Sequence, residues 1–218
     1  MIKENVAALL KELPPGVQLE GAAKTRSAEE IKEAVGAGVK IIGENYVQEA
    51  EEHHKTIGNT VEWHLIGHLQ KNKARKAVEL FQMIETVDSI ETGKVIDRFA
   101  LRMNKVMPVL VEVNSGKEPQ KEGAMPENVA ALAKDLSGLK NVKLIGLMTM
   151  GPELHNPEDL RPYFRETKAL FGRIAALKIP NVEMKLLSMG MTDSYKIAIE
   201  EGATIVRIGS KIFGPRKA

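Results

Sequence analysis

Val106-Met107-Pro108-Val109-Leu110-Val111-Glu112-Val113 carries one charge in eight residues and shows no alternation of apolar with polar side chains. A strand of that kind is buried on both faces, which points to a parallel sheet covered by helices rather than to a half-wetted antiparallel one. Its flanks agree. Upstream, Ser89 to Met103 is helix-prone, and downstream Asn128 to Leu136 puts Val129, Leu132 and Leu136 on one helical face. Val142 to Met148 then repeats the apolar strand.

The same alternation runs outward to both ends. Toward the N-terminus lie strands at Met83 to Val87, Val61 to Ile66, Val39 to Gly43 and Val17 to Ala23. Helices at Lys71 to Leu80, Asn45 to His54 and Ser27 to about Val35 separate them, the last opened by the Ser27/Glu30 capping box. Toward the C-terminus, Asn156-Pro157-Glu158 starts a helix presenting Leu160, Phe164, Phe171 and Ile174. Val182 to Leu187, a helix through Ile199, and Thr204 to Ile208 follow. Eight strands alternating with helices predict a closed (β/α)₈ barrel of about 27 residues per unit. A doubly wound open sheet is the alternative. Only Gly209 to Ala218 follow the last strand, so the helix at Ile2 to Leu13 is expected to fill the eighth helical position. With no repeat or linker, residues 1–218 are expected to form one domain.

Composition removes several classes. A net charge of +2 gives no broad field for nucleic acid or an anionic membrane, and 4% aromatic residues offer few stacking platforms. Zero cysteines exclude disulfides, thiol catalysis and thiolate metal sites. The apolar run Val6 to Leu10 is too short for a signal peptide or a membrane span. The expectation is a soluble, cytoplasmic protein.

In a barrel, functional groups gather at the carboxyl ends of the strands. Here these are Lys24, Gly43-Glu44-Asn45, His64 with Gly67-His68, Asp88, Glu112 with Asn114, Thr149, Ser188-Met189-Gly190 and Arg207-Ile208-Gly209-Ser210. Lys24 follows the small residues Gly21-Ala22-Ala23. Position alone leaves it either an amine poised for a carbonyl or a surface lysine past a strand. The turns at Ser188-Met189-Gly190-Met191-Thr192 and Gly209-Ser210 suit a phosphate, with a helix starting near Thr192, or are ordinary turns. Arg207, one residue from the end of a nearly apolar strand, needs either a ligand or a barrel carboxylate. His64 and His68 lack the spacing of a metal pair, so no metal is expected.

Several of these blocks together resemble one family. They are Lys24-Thr25 after an apolar strand; Gly43-Glu44-Asn45-Tyr46-Val47-Gln48-Glu49; and Trp63-His64-Leu65-Ile66-Gly67-His68-Leu69-Gln70 with Asn72-Lys73. Gly146-Leu147-Met148-Thr149, Ser188-Met189-Gly190-Met191-Thr192-Asp193 and Arg207-Ile208-Gly209-Ser210 with Ile212-Phe213-Gly214 complete the set. In this order they are similar to the pyridoxal phosphate homeostasis proteins. Glu20 and Gly21, polar and small for the lysine strand, depart from that pattern.

The resemblance implies a fold-type III barrel like the N-terminal domain of alanine racemase, binding pyridoxal 5′-phosphate. On that pattern Lys24 carries the Schiff base, and Ser188, Gly209 and Ser210 hold the phosphate with Met189 lining it. Arg207 faces the pyridine nitrogen and Asn45 lies beside the ring. The implied function is to buffer, carry or hand over the cofactor, in vitamin B6 and amino-acid balance, with apo-enzymes as recipients and a monomer as the working form. Racemases of this type add a C-terminal β domain that supplies a second acid/base. The chain runs only to Ala218, so a carrier is expected rather than a racemase. A Schiff-base aldolase without cofactor would leave Arg207 unexplained.

Overall fold

A computed structural model describes residues 1–215; the last three positions of the expected 1–218 domain lie outside it. Eight parallel strands close in sequence order: β1 (Gln18–Ala22), β2 (Ile41–Glu44), β3 (Glu62–Leu65), β4 (Met83–Val87), β5 (Met107–Glu112), β6 (Val142–Met148), β7 (Val182–Ser188) and β8 (Ile205–Ile208). β1 pairs with β2 on one side and β8 on the other, which completes the barrel and excludes the open sheet.

The strands are covered by α2 (Ala28–Gly36), α3 (Val47–Ile57), α4 (Ala74–Leu80), α5 (Ile90–Arg102), α6 (Val129–Ser137), α7 (Arg161–Ala176) and α8 (Tyr195–Glu200), after a leading α1 (Ile2–Glu12). Among the described residues beyond β8, the four-residue α9 (Ser210–Phe213) is the only helix. α1 fills the gap as expected: Glu12 pairs with Lys196 of α8 at 2.6 Å, and Asn5 donates to the Ile212 carbonyl at 3.0 Å.

Local chemistry sets the helix starts. Ser27 caps α2 in the expected capping box, and Ser89 caps α5. Four helices begin later than the sequence suggests; α4 and α7 are each led in by a 3-10 turn, at Lys71–Lys73 and Pro157–Leu160. α3 starts at Val47 behind Tyr46, which leaves Asn45 on the β2 loop. α8 starts at Tyr195, because the Ser194 hydroxyl accepts the Met191 N–H and keeps 191–194 in a turn.

The main core lies between sheet and helices, with Trp63, Phe81 and Phe164 fully buried. Inside the barrel, side chains alternate along each strand, so those at i and i+2 share the interior. Met83, Leu110, Met148 and Ile205 plug one end. Two residues further on, strands β4, β5 and β8 bring Glu85, Glu112 and Arg207 inward. Above the apolar plug the interior is therefore polar.

Candidate functional site

The carboxyl ends of the strands frame a cavity of about 530 Å³. Lys24, Asn45, Arg207, Gly209 and Ser210 all line it, with Ala22, Arg26, Ile66, Met150, Glu153, Met191, Thr192 and Asp193. Five of the seven predicted site residues thus meet at one opening. Ser188 and Met189 do not line it; both are fully buried. The Ser188 hydroxyl accepts from Arg207 Nη1 at 2.6 Å, beneath the cavity.

Lys24 sits two residues past β1, where the Ala23 N–H still donates to the Gly43 carbonyl at 2.9 Å. Its ammonium lies 5.6 Å from the Tyr46 ring centroid. Among the described residues it has no hydrogen-bonding or ion-pair partner. The next residue, Thr25, is held at φ +64°. A β-branched residue in the left-handed region is strained, and such strain collects at functional turns.

Asn45 is fixed by close packing of two loops. A Cβ at Gly67 would collide with the Asn45 carbonyl oxygen, so only glycine lets the β3 loop lie on the β2 loop. The Ile66 N–H donates to the Glu44 carbonyl at 2.9 Å, and Thr86 Oγ1 donates to the Gly67 carbonyl at 2.7 Å.

Across the opening, Ser210 Oγ donates to Thr192 Oγ1 at 3.1 Å, tying the β8 loop to the β7 loop. Arg26 anchors this rim. Its guanidinium donates to the carbonyls of Phe213, Gly214 and Pro215, 187 to 189 residues away in sequence. Arg207 donates to Ser188 Oγ and, at 2.8 Å, to the Thr149 carbonyl, while its Nη2 also meets Met150 Sδ at 3.3 Å. All of these acceptors are neutral, so the direct pairing with a barrel carboxylate weighed for Arg207 is not made.

The site therefore presents an amine, two guanidinium groups and a pair of hydroxyls around a half-open cavity. That donor set fits a small aldehyde bearing a phosphate: cations and hydroxyls for the dianion, an amine for the carbonyl. The family Alanine racemase, N-terminal domain, matches residues 1–217. The pyridoxal phosphate homeostasis protein of Aquifex aeolicus is 44% identical over 201 residues, covering 92% of this chain and 87% of the relative. The chain belongs to the pyridoxal phosphate homeostasis protein family.

Another member, from Synechocystis, is 36% identical, with 95% of each chain covered. Among solved structures, PipY of Synechococcus elongatus with PLP bound superposes with a TM-score of 0.90 at 35% identity, covering 98% of this chain and all of that one. An alanine racemase of Clostridium difficile shares the fold at 16% identity and TM-score 0.85, over 57% of its length.

Sequence reasoning did not place Arg26, Met150 or Glu153 at the cavity. Met191 and Thr192 lay in the turn read as suiting a phosphate, and Ile66, Met191, Thr192 and Asp193 in the family blocks. The Arg26 contacts span almost the whole chain, beyond any local pattern. Beside the cavity, Glu112 has its carboxyl pushed up to about 7, chiefly by burial, with Arg207 opposing and Asp88 and Glu122 adding to the rise.

Proposed function

We propose that this chain binds pyridoxal 5′-phosphate at the barrel mouth and serves to buffer it and hand it to apo-enzymes. The observation that carries the reading is the meeting of Lys24, which among the described residues has no hydrogen-bond or ion-pair partner, with Asn45, Arg207, Gly209 and Ser210 around one cavity of matching chemistry. The membership of the family and the PLP-bound relative support it. Bound pyridoxal phosphate supplies an aldehyde able to link covalently to an amine and a ring able to withdraw electrons.

Lys24 is the amine that holds the aldehyde carbon. Gly209 leaves its backbone open at the rim, and the linked Ser210 and Thr192 hydroxyls receive the phosphate, with the Arg26 charge behind them. Arg207 faces the ring nitrogen and, being permanently cationic, disfavours a proton there. Asn45 flanks the ring. Ser188 and Met189 act from beneath, Ser188 through Arg207 and Met189 by packing under the loop.

Among the described residues no helix is long and apolar enough to cross a membrane. A cytoplasmic monomer of one barrel domain, meeting its recipients transiently, completes the reading. The test is to load the purified protein with pyridoxal phosphate, remove the excess, and add an apo-enzyme that needs the cofactor. Activation of that enzyme faster than by the same concentration of trapped free cofactor supports the carrier. Racemisation of alanine at about 1–10³ s⁻¹, the usual enzyme range, would replace it by a racemase.

A further inference from the structure

Beneath the cavity, inside the barrel, lie three ionisable side chains that the ligand reading does not use. Glu20 of β1, His64 of β3 and Glu85 of β4 are all buried. His64 Nδ1 stands 3.0 Å from Glu85 Oε1, in hydrogen-bond geometry, and 3.2 Å from Glu20 Oε1. Its Nε2 faces Glu62 Oε2 at 3.8 Å. Glu20 is also the departure from the family's lysine strand noted in the sequence. Gly43 makes room for it, since a Cβ there would lie 2.8 Å from Glu20 Oε1.

The group next to this triad is Arg207. Glu20 and Arg207 are register partners on adjacent strands and face the same interior. A guanidinium 2% exposed, with only neutral acceptors bonded to it, costs several kcal/mol to bury unless negative charge lies nearby. The triad provides that charge. Burial and the neighbouring Glu85 push the Glu20 carboxyl up to about 6, with His64 and Arg207 opposing, so that it is still largely charged at neutral pH; Arg207 likewise favours the charged form of Glu85. Burial opposes the charge of Glu85, yet His64 and Arg207 hold its carboxyl below the usual range. A metal cation among the same three residues is disfavoured by the permanent charge of Arg207 on the adjoining strand.

We propose that Glu20, His64 and Glu85 are positioning residues, a buried charge-compensating triad whose negative charge, set beside Arg207 by the β1–β8 register, holds its guanidinium at the floor of the cavity. This rests on the reading that pyridoxal phosphate occupies the cavity with its ring nitrogen toward Arg207. The triad fixes one group of the site and leaves Lys24 and the phosphate rim untouched. Its loss therefore weakens recognition of the ring nitrogen alone.

The test uses the full chain with the isosteric changes Glu20→Gln and Glu85→Gln, each of which removes one negative charge from the triad and leaves the Ser188 and Thr149 acceptors of Arg207 in place. Circular dichroism identifies the folded variants. Dissociation constants are measured for pyridoxal phosphate and for its 1-deaza analogue, in which C–H replaces the ring nitrogen. Hydrogen exchange of the Arg207 guanidinium is followed by NMR in the ligand-free protein. The folded variants are expected to lose about tenfold or more in affinity for pyridoxal phosphate, to bind the analogue within about twofold of the native protein, and to exchange the Arg207 protons at least about tenfold faster. Equal losses for both ligands, or native-like Arg207 exchange in all folded variants, overturns the proposal. If the native protein binds neither ligand, the cofactor reading fails and the Arg207 exchange alone decides the triad.

Discussion

Replacing Glu112 by Gln should stabilise the ligand-free protein at alkaline pH and leave it unchanged in acid. Glu112 ends β5 at the edge of the cavity, where burial raises its carboxyl from an ordinary 4.5 to about 7. A raised carboxyl means that the folded protein binds the proton more tightly than the unfolded chain. Its contribution to stability is therefore full below the unfolded value and is lost as pH rises through the folded one. At about 1.4 kcal/mol per pH unit, the gap amounts to roughly 3 kcal/mol above pH 7. Gln mimics the protonated side chain in shape and charge, so it should recover most of that at pH 8 and almost none at pH 4.5. Urea unfolding of both proteins across this range gives the difference directly, with unchanged m-values confirming the same unfolding reaction. A variant less stable than the native protein at pH 8, or a difference independent of pH, would show that the Glu112 carboxylate is paired rather than stranded.

Two further substitutions test the rim and the loop packing. Ser210→Asp sets a carboxylate where the phosphate is expected and should weaken pyridoxal phosphate binding by at least about tenfold; unchanged affinity by equilibrium titration would move the phosphate elsewhere. Gly67→Ala drives a Cβ into the Asn45 carbonyl. It should cost about 1–3 kcal/mol in denaturant unfolding and weaken cofactor binding with it, and a variant as stable as the native protein would refute the close contact.

The barrel was legible because its signals are local. Buried parallel strands such as Met107–Glu112 read as continuous apolar runs, and the Ser27 and Ser89 caps mark helix starts within three residues. The rim residues followed from the strand ends, and Lys24, Asn45, Arg207, Gly209 and Ser210 do converge. What stayed hidden depends on side-chain direction or on distant partners. Ser188 looked like a rim hydroxyl, but the period of two along β7 turns it into the barrel, onto Arg207. Glu85 passed unremarked inside Met83-Ile84-Glu85-Thr86-Val87, although alternation from Met83 places it in the interior. Its significance comes from His64 and Arg207 on other strands. The late start of α8 turns on one hydroxyl, Ser194, accepting a backbone N–H. Nothing in residue type alone distinguishes Ser194 from Thr192, near which the sequence placed the helix start.

The central claim is that Lys24 is the residue that holds pyridoxal phosphate. Borohydride reduction of the loaded protein fixes any imine between cofactor and lysine, and peptide mass mapping then locates the pyridoxyl group. The label should fall on the peptide containing Lys24 at close to one per chain, and Lys24→Ala should lose it while keeping weaker, reducible-label-free binding through the phosphate rim. A label placed mainly on another lysine, or undiminished labelling of Lys24→Ala, would contradict the account.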